Sequence, residues 1–335
     1  MWESRLALAL WDGNAVDSPI FTRGNPRTLG AVVPHRSLEA IHGKEKLTHA
    51  TGSGRLELAK QWTDPKRNPF FSRVIVNRAW HHLFGRGIVA SVDNFGLLGE
   101  PPSHPELLDY LADEFVASGF KLKPFLRRLV LTDAYRMSST GTAEAEQTDP
   151  ANLLLHKFRV KRLEGESIRD AILAVSGRLR ATDAGGPGTL IHLTPFLDGR
   201  GRPGSGPVDG DGRRSVYLAV RRNFLNPFLQ AFDTPIPFST VGRRQVSNVP
   251  AQALILLNDP FVHQQADVWA KATLAKPGTT DERLRGMYLA AFGRAISAGE
   301  LKECRDFLGK GETDPKAWAD LAHTLFNVKE FIFVK

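Results

Sequence analysis

Cysteine is almost absent. The 335-residue chain holds one, Cys304, which excludes an internal disulfide and a four-thiolate zinc or iron–sulfur site within the chain. The CxxCH string of covalent haem attachment is missing with it, and no cofactor is expected. No apolar run approaches the ~20 residues of a membrane span. The opening MWESRLALALWDGNAVDSP puts Glu3 and Arg5 before a short apolar stretch. A secretory leader needs roughly 7–15 apolar residues and a small-residue cleavage site, so no export signal is expected. Also lacking are the GxSxG elbow, the HExxH zinc spacing, a dinucleotide fingerprint behind a strand and the GK[ST] of a phosphate loop. Asp209-Gly210-Asp211-Gly212 lacks the remaining spacing and the Glu of a calcium hand. No metal site is expected.

What is abundant is arginine. Net charge is +8, with 29 arginines against 15 lysines. A planar guanidinium suits carboxylate, phosphate or sulfate, and it suits buried ion pairs. The excess fits either solvated surface and internal pairing, which is the favoured reading, or a polyanionic partner.

Residues 1–54 read as an irregular segment with at most one short strand near Ile20–Thr22. Residues 55–335 read as a helical body. In NPFFSRVIVNRAWHHLFGRG, Asn68 caps, Pro69 opens and Gly85 stops a helix. Ser103 and Glu106 have the spacing of a capping box before the stripe Leu107, Leu108, Leu111 and Phe115. Ile168, Ile172, Val175 and Leu179 mark another helix. Residues 183–214 hold nine glycines; such a loop divides two lobes, 55–182 and 215–335, or is an insertion in one. SVYLAVRRN alternates like a half-buried strand, and strand content is also expected near Ile191. VPAQALILLNDPFVHQQADVWAKATL is one helix, or two joined at Asp259-Pro260. The fold class is therefore mainly α: a compact multi-helix domain with a small β element and a long glycine-rich loop.

Several strings together carry a resemblance. They are RLELAKQWTDPKRNPFFSRVIVNRAWHHLFGRGIVASVDNFGLLGEPPSHPELLDYLADEF, RRLEGESIRDAILAVSGRL, RRSVYLAVRRNFLNPFLQAFDTP, VPAQALILLNDPFV and LFNVKEFIFVK. The chain resembles the planctomycete PSD-type domain, domain of unknown function fifteen-fifty-three, from about Asp12 to its end. That resemblance implies the terminal module of a larger exported protein with a cytochrome-c-like domain upstream. It implies an extracytoplasmic or periplasmic setting among polysaccharide-degrading enzymes, with haem only in a missing upstream domain or a partner. It brings no established reaction and no accepted catalytic residues.

The candidate sites are therefore read from the residues. In the Asn68–Gly85 helix, Arg73, Asn77 and His81 form one i, i+4 row, and Arg78 and His82 a second. They are either polar struts, the favoured reading, or the floor of a cationic pocket. Asp93, Glu100 and His104 precede or open a helix and are acid–base candidates. Glu164, Glu166 and Asp170 are carboxylates of the kind a glycosidase pairs, with ion pairing as the bland alternative. Arg213, Arg214, Arg221 and Arg222 stand at the two ends of the expected strand, as an anion-gripping ribbon or as struts. Trp62, Trp80 and Cys304 read as core. Two function classes stay open. One is a non-catalytic module that binds an anionic polymer, for example a sulfated polysaccharide, or docks to a cytochrome-c-bearing partner. The other is a polysaccharide-active hydrolase using the named acids and His104. Nucleic acid is disfavoured, because the charge is spread and no reader motif is present.

Overall fold

Proline sets many of the helix starts. Six of the longer or site-forming helices begin on it: Pro69–Phe84, Pro105–Ala117, Pro227–Ala231, Pro250–Asn258, Pro260–Leu274 and Pro315–Asn327. Proline is preorganised for the first helical position and lacks an N–H that would go unpaired there. In four of these the preceding Asn or Asp caps a free amide: Asn68 takes Phe70 N, Asn226 takes Leu229 N, Asp259 takes Phe261 N and Asp314 takes Lys316 N. Asp259-Pro260 accordingly splits the long apolar stretch into two helices.

The computed structural model of the protein describes residues 9–47, 52–182, 185–194 and 203–334. Among these, fifteen α-helices and two two-stranded sheets make the fold mainly α. The chain forms two units, Met1–Phe158 and Arg159–Lys335. The boundary falls at Phe158/Arg159 rather than in the glycine-rich segment, whose described part lies within the second unit. Residues 183–184 and 195–202 of that loop lie outside the described residues.

In the first unit, Ser18–Phe21 pairs antiparallel with Leu29–Val33, so the segment expected to be irregular carries a hairpin. The helices Pro69–Phe84, Pro105–Ala117 and Leu122–Val130 bury Val76, Trp80, Phe84, Leu108, Phe115 and Leu129. Trp80 stacks on Phe84 with ring centroids 3.9 Å apart. Trp62, expected in the core, is instead 38% exposed and donates to Ser37 Oγ. The Ser103/Glu106 capping box does not form: His104 is the N-cap, and Ser103 Oγ donates to the Ile88 carbonyl at 3.3 Å. Two capping boxes the sequence reading passed over do form, Thr279/Glu282 and Ser297/Glu300.

In the second unit, Gly165–Val175, Pro260–Leu274, Thr280–Phe292, Ala298–Leu308 and Pro315–Asn327 surround Ile168, Ile172, Leu284, Met287, Trp318 and Phe326. Cys304 is buried here, its thiol 3.8 Å from Tyr288 Oη. The end of the chain returns to the start of the unit. Phe333–Val334 pairs antiparallel with Lys161–Arg162, and Leu163 N donates to Ile332 O at 2.7 Å. The strands expected near Ile191 and over Val216–Val220 are absent. Ser215–Tyr217 is a 3-10 turn, and Thr189 makes only an isolated parallel bridge to Leu218. Side chains of the Gly165–Val175 helix explain the turn by gripping the backbone at Arg213 and Ser215.

Candidate functional site

The polar rows of the Pro69–Phe84 helix go to separate places. Arg73 donates to Asp109 Oδ1 at 2.7 Å and to the Pro69 carbonyl at 3.0 Å. Asn77 has no solvent exposure. Its amide donates to Val89 O and accepts from Val89 N, both at 2.9 Å, which ties the chain beyond the helix back onto it. Gly87 permits this approach, since a Cβ there would stand 2.4 Å from Val89 O and 2.9 Å from the Asn77 amide. Arg78 and His82 face solvent, while His81 is half-buried, its ring 5.5 Å from that of His82.

A cavity of about 350 Å³ opens beside this helix, lined in part by Phe70, Arg73, Phe95, Glu100, Leu108 and Asp109. Its acids have partners: Arg73 holds Asp109, and Arg86 reaches Glu100 at 3.3 Å. Asp93 is exposed and does not line it, and His104 Nδ1 lies 3.0 Å from Ser103 Oγ. Of the three candidates Asp93, Glu100 and His104, only Glu100 reaches the cavity.

The carboxylates of the second unit are divided in the same way. Arg244 grips Glu166 with two bonds, 2.6 and 2.9 Å, and approaches Glu164 at 3.3 Å. Burial pushes the Glu166 carboxyl up, but the hydrogen bonds and charge of Arg244 outweigh it and leave its pKa lowered. One helical turn on, Asp170 accepts from Ser215 N and Ser215 Oγ, both at 2.7 Å. Glu166 and Asp170 share a helix face and serve different partners.

Arg169 is the anchor between them. It is 3% exposed and donates to Arg213 O, Ser215 Oγ and Asp209 O at 2.9, 3.0 and 2.7 Å. Its guanidinium lies 5.5 Å from the Phe261 ring centroid, and burial lowers its pKa to about 10. Arg213 is likewise spent on the glycine-rich segment, donating to Pro187 O, Thr189 Oγ1 and Gly185 O. Arg214 is half-exposed, 3.5 Å from Asp170. Arg221 and Arg222 are exposed, and their side chains have no hydrogen-bond or ion-pair partner among the described residues. The four arginines, expected as an anion-gripping ribbon or as struts, thus divide between the two: Arg213 is an internal strut, and the exposed Arg214, Arg221 and Arg222 make a cationic edge. The sequence reading missed the central place of Arg169. Its signal was an arginine inside an apolar helical stripe, where a charge requires partners.

Two small cavities lie in the same unit. The larger, about 50 Å³, is lined by apolar side chains including Leu190, Leu218, Phe224 and Leu229, together with Arg221 and Thr234. The smaller, about 20 Å³, is lined by residues that include Arg169, His192, Asp259 and Phe261. Burial raises the Asp259 carboxyl, against its bond from Phe261 N and the charges of His192 and His263. Sequence reading saw Asp259 only as a helix junction. Among the described residues, no group of three or more His, Cys, Asp and Glu side chains could hold a metal ion, and no helix is long and apolar enough to cross a membrane.

Comparison with known proteins returned no match among curated proteins and none among solved structures. A family profile, PSD1, described as a protein of unknown function (DUF1553), matches residues 54–308. That match takes in the helix with Asn77, the Arg169 anchor and the cationic edge, and the chain belongs to this family of proteins of unknown function.

Proposed function

We propose that the second unit is a non-catalytic module that binds an anionic polymer, a sulfated polysaccharide, along the edge formed by Arg214, Arg221 and Arg222. The observation that carries this reading is the free state of the Arg221 and Arg222 guanidinium groups, which have no partner among the described residues. Arg169 and Arg213 hold the same segment from within, so the edge is ordered before any ligand arrives, which lowers the cost of binding. Planar guanidinium groups match sulfate and carboxylate oxygens in pairs. The extracytoplasmic setting implied by the family resemblance is in keeping with such a ligand. The test is titration with a sulfated polysaccharide at low and high salt, with the polymer sized afterwards. Binding that weakens with salt and leaves the polymer intact is expected. The double variant Arg221→Ala/Arg222→Ala should weaken it about tenfold at low salt, roughly 1.4 kcal/mol. Absence of binding would sink the polymer reading and direct attention to a protein partner, including a cytochrome-c-bearing one.

A second reading, a polysaccharide hydrolase, draws its support from one place. Asp259, with its raised pKa, lies beside His192 in a cavity backed by Arg169, and a carboxyl displaced toward neutral pH is suited to acid–base work. Glu164, Glu166 and Asp170 are engaged by Arg244 and Ser215 and are weaker choices. Shortened polymer, lost in Asp259→Asn, would favour the hydrolase over the module.

A further inference from the structure

We infer that the 50 Å³ slot of the second unit is a binding site for a small aliphatic carboxylate, a ligand distinct from the polymer proposed above. Three features of the slot point to one occupant. Its walls are apolar, with Leu190, Leu193, Leu218, Phe224 and Leu229 among the lining. Thr234 also lines it, and its Oγ1 is buried without a hydrogen-bond partner. Buried polar atoms in native proteins are normally paired, so an orphan hydroxyl asks for an explanation. Arg221 lines the slot as well, is exposed, and lacks a carboxylate among the described residues.

Simpler occupants leave one of these features unexplained. The volume is several times the ~10–15 Å³ that admits one water, and a water needs two to four polar partners. Among the described residues the remaining polar side chain of the lining, Asn226, is already committed, donating to His192 O and accepting from Leu229 N. A neutral hydrocarbon leaves the Thr234 hydroxyl unpaired and makes no use of the charge at the slot. An inorganic anion would gain nothing from the leucines. A carboxylate on a short alkyl chain answers all three: the chain fills the slot, one oxygen meets the Thr234 hydroxyl, and the charge faces Arg221. The walls are held in place, because Thr189 bonds the backbone on both sides of Leu218: Ala219 N donates to Thr189 O at 2.9 Å, and Thr189 N donates to Tyr217 O at 2.8 Å. A preformed apolar pocket with a few convergent polar groups is the usual form of a small-molecule site.

The test is calorimetric titration of the full chain with hexanoate, with hexanol and inorganic phosphate as controls. Saturable hexanoate binding is expected, at least tenfold tighter than either control. Arg221→Gln should weaken it about tenfold. Leu218→Trp, which fills the slot, should abolish it while leaving sulfated-polysaccharide binding unchanged. Thr234→Val serves as the variant least disturbing to folding: it removes the orphan hydroxyl, so the melting temperature should hold or rise while hexanoate affinity falls several-fold. Absence of saturable hexanoate binding overturns the inference. So does binding that Leu218→Trp leaves intact, or hexanol binding as tightly as hexanoate. Each of these leaves the polymer reading standing, and loss of polymer binding alone leaves the slot standing.

Discussion

Asn77 shows how much one buried side chain can carry. Both of its bonds go to the backbone of Val89, in a place without solvent. Asn77→Ala leaves a buried N–H and a buried C=O unpaired, and should cost about 2–4 kcal/mol, read from the denaturant midpoint at constant slope. Arg169→Met should cost about 3 kcal/mol, because it strands the carbonyls of Asp209 and Arg213. It should also open the neighbouring glycine-rich segment to protease before the rest of the chain, which limited proteolysis with mass spectrometry would show. The i, i+4 row of Arg73, Asn77 and His81 is legible from spacing alone. The destination of each side chain is not, because Asp109 and Val89 come from elements whose approach depends on packing.

Among the elements, those with local signals were the readable ones. Asn68, Pro69 and Gly85 bound their helix as their chemistry dictates, with Gly85 in the left-handed region at φ 80°. The capping boxes at Thr279 and Ser297 were equally local and were there to be read. Ser297→Ala should destabilise by about 1 kcal/mol. Glu300 of the same box is held down to about 2 by its hydrogen bonds with Arg294, with further help from Ser297. Its folded pKa thus lies below the ~4.3 of a free glutamate. Its stabilisation is present above that value and is lost as the pH falls toward 2. Glu166, also lowered, adds in the same direction. Glu300→Gln should therefore flatten the acid limb of a stability-against-pH curve, measured by thermal melts between neutral pH and pH 2. Ser103 shows the limit of such signals: it had the spacing of a cap and was drawn instead to Ile88 O. Val216–Val220 alternates like a strand, yet Arg169 and Asp170 fold its start into a turn.

At the scale of the whole chain, the family match and the physical unit end in different places. The match stops at residue 308, but Trp318 and Phe326 beyond it are fully buried in the core of the second unit. The strand Phe333–Val334 also closes onto Lys161–Arg162. Residues 159–335 expressed alone should melt cooperatively with high helical content, whereas 159–308 should not. Circular dichroism with thermal melting decides between them; a cooperative 159–308 would refute this placing of the core.

The sequence by itself determined the helical class, the helix ends at Asn68, Gly85 and Asp259-Pro260, the single unpaired cysteine and the family, since each depends on local chemistry or on a string of residues. Only the tertiary structure decided which arginines are struts and which are free. Arg213 and Arg221 are the same residue type at the two ends of one segment. One lies among carbonyls that need donors, and the other lies in solvent beside an apolar slot. Charge is a property of the residue, but its partner is a property of the fold, because ion pairs and hydrogen bonds form between groups far apart in the chain.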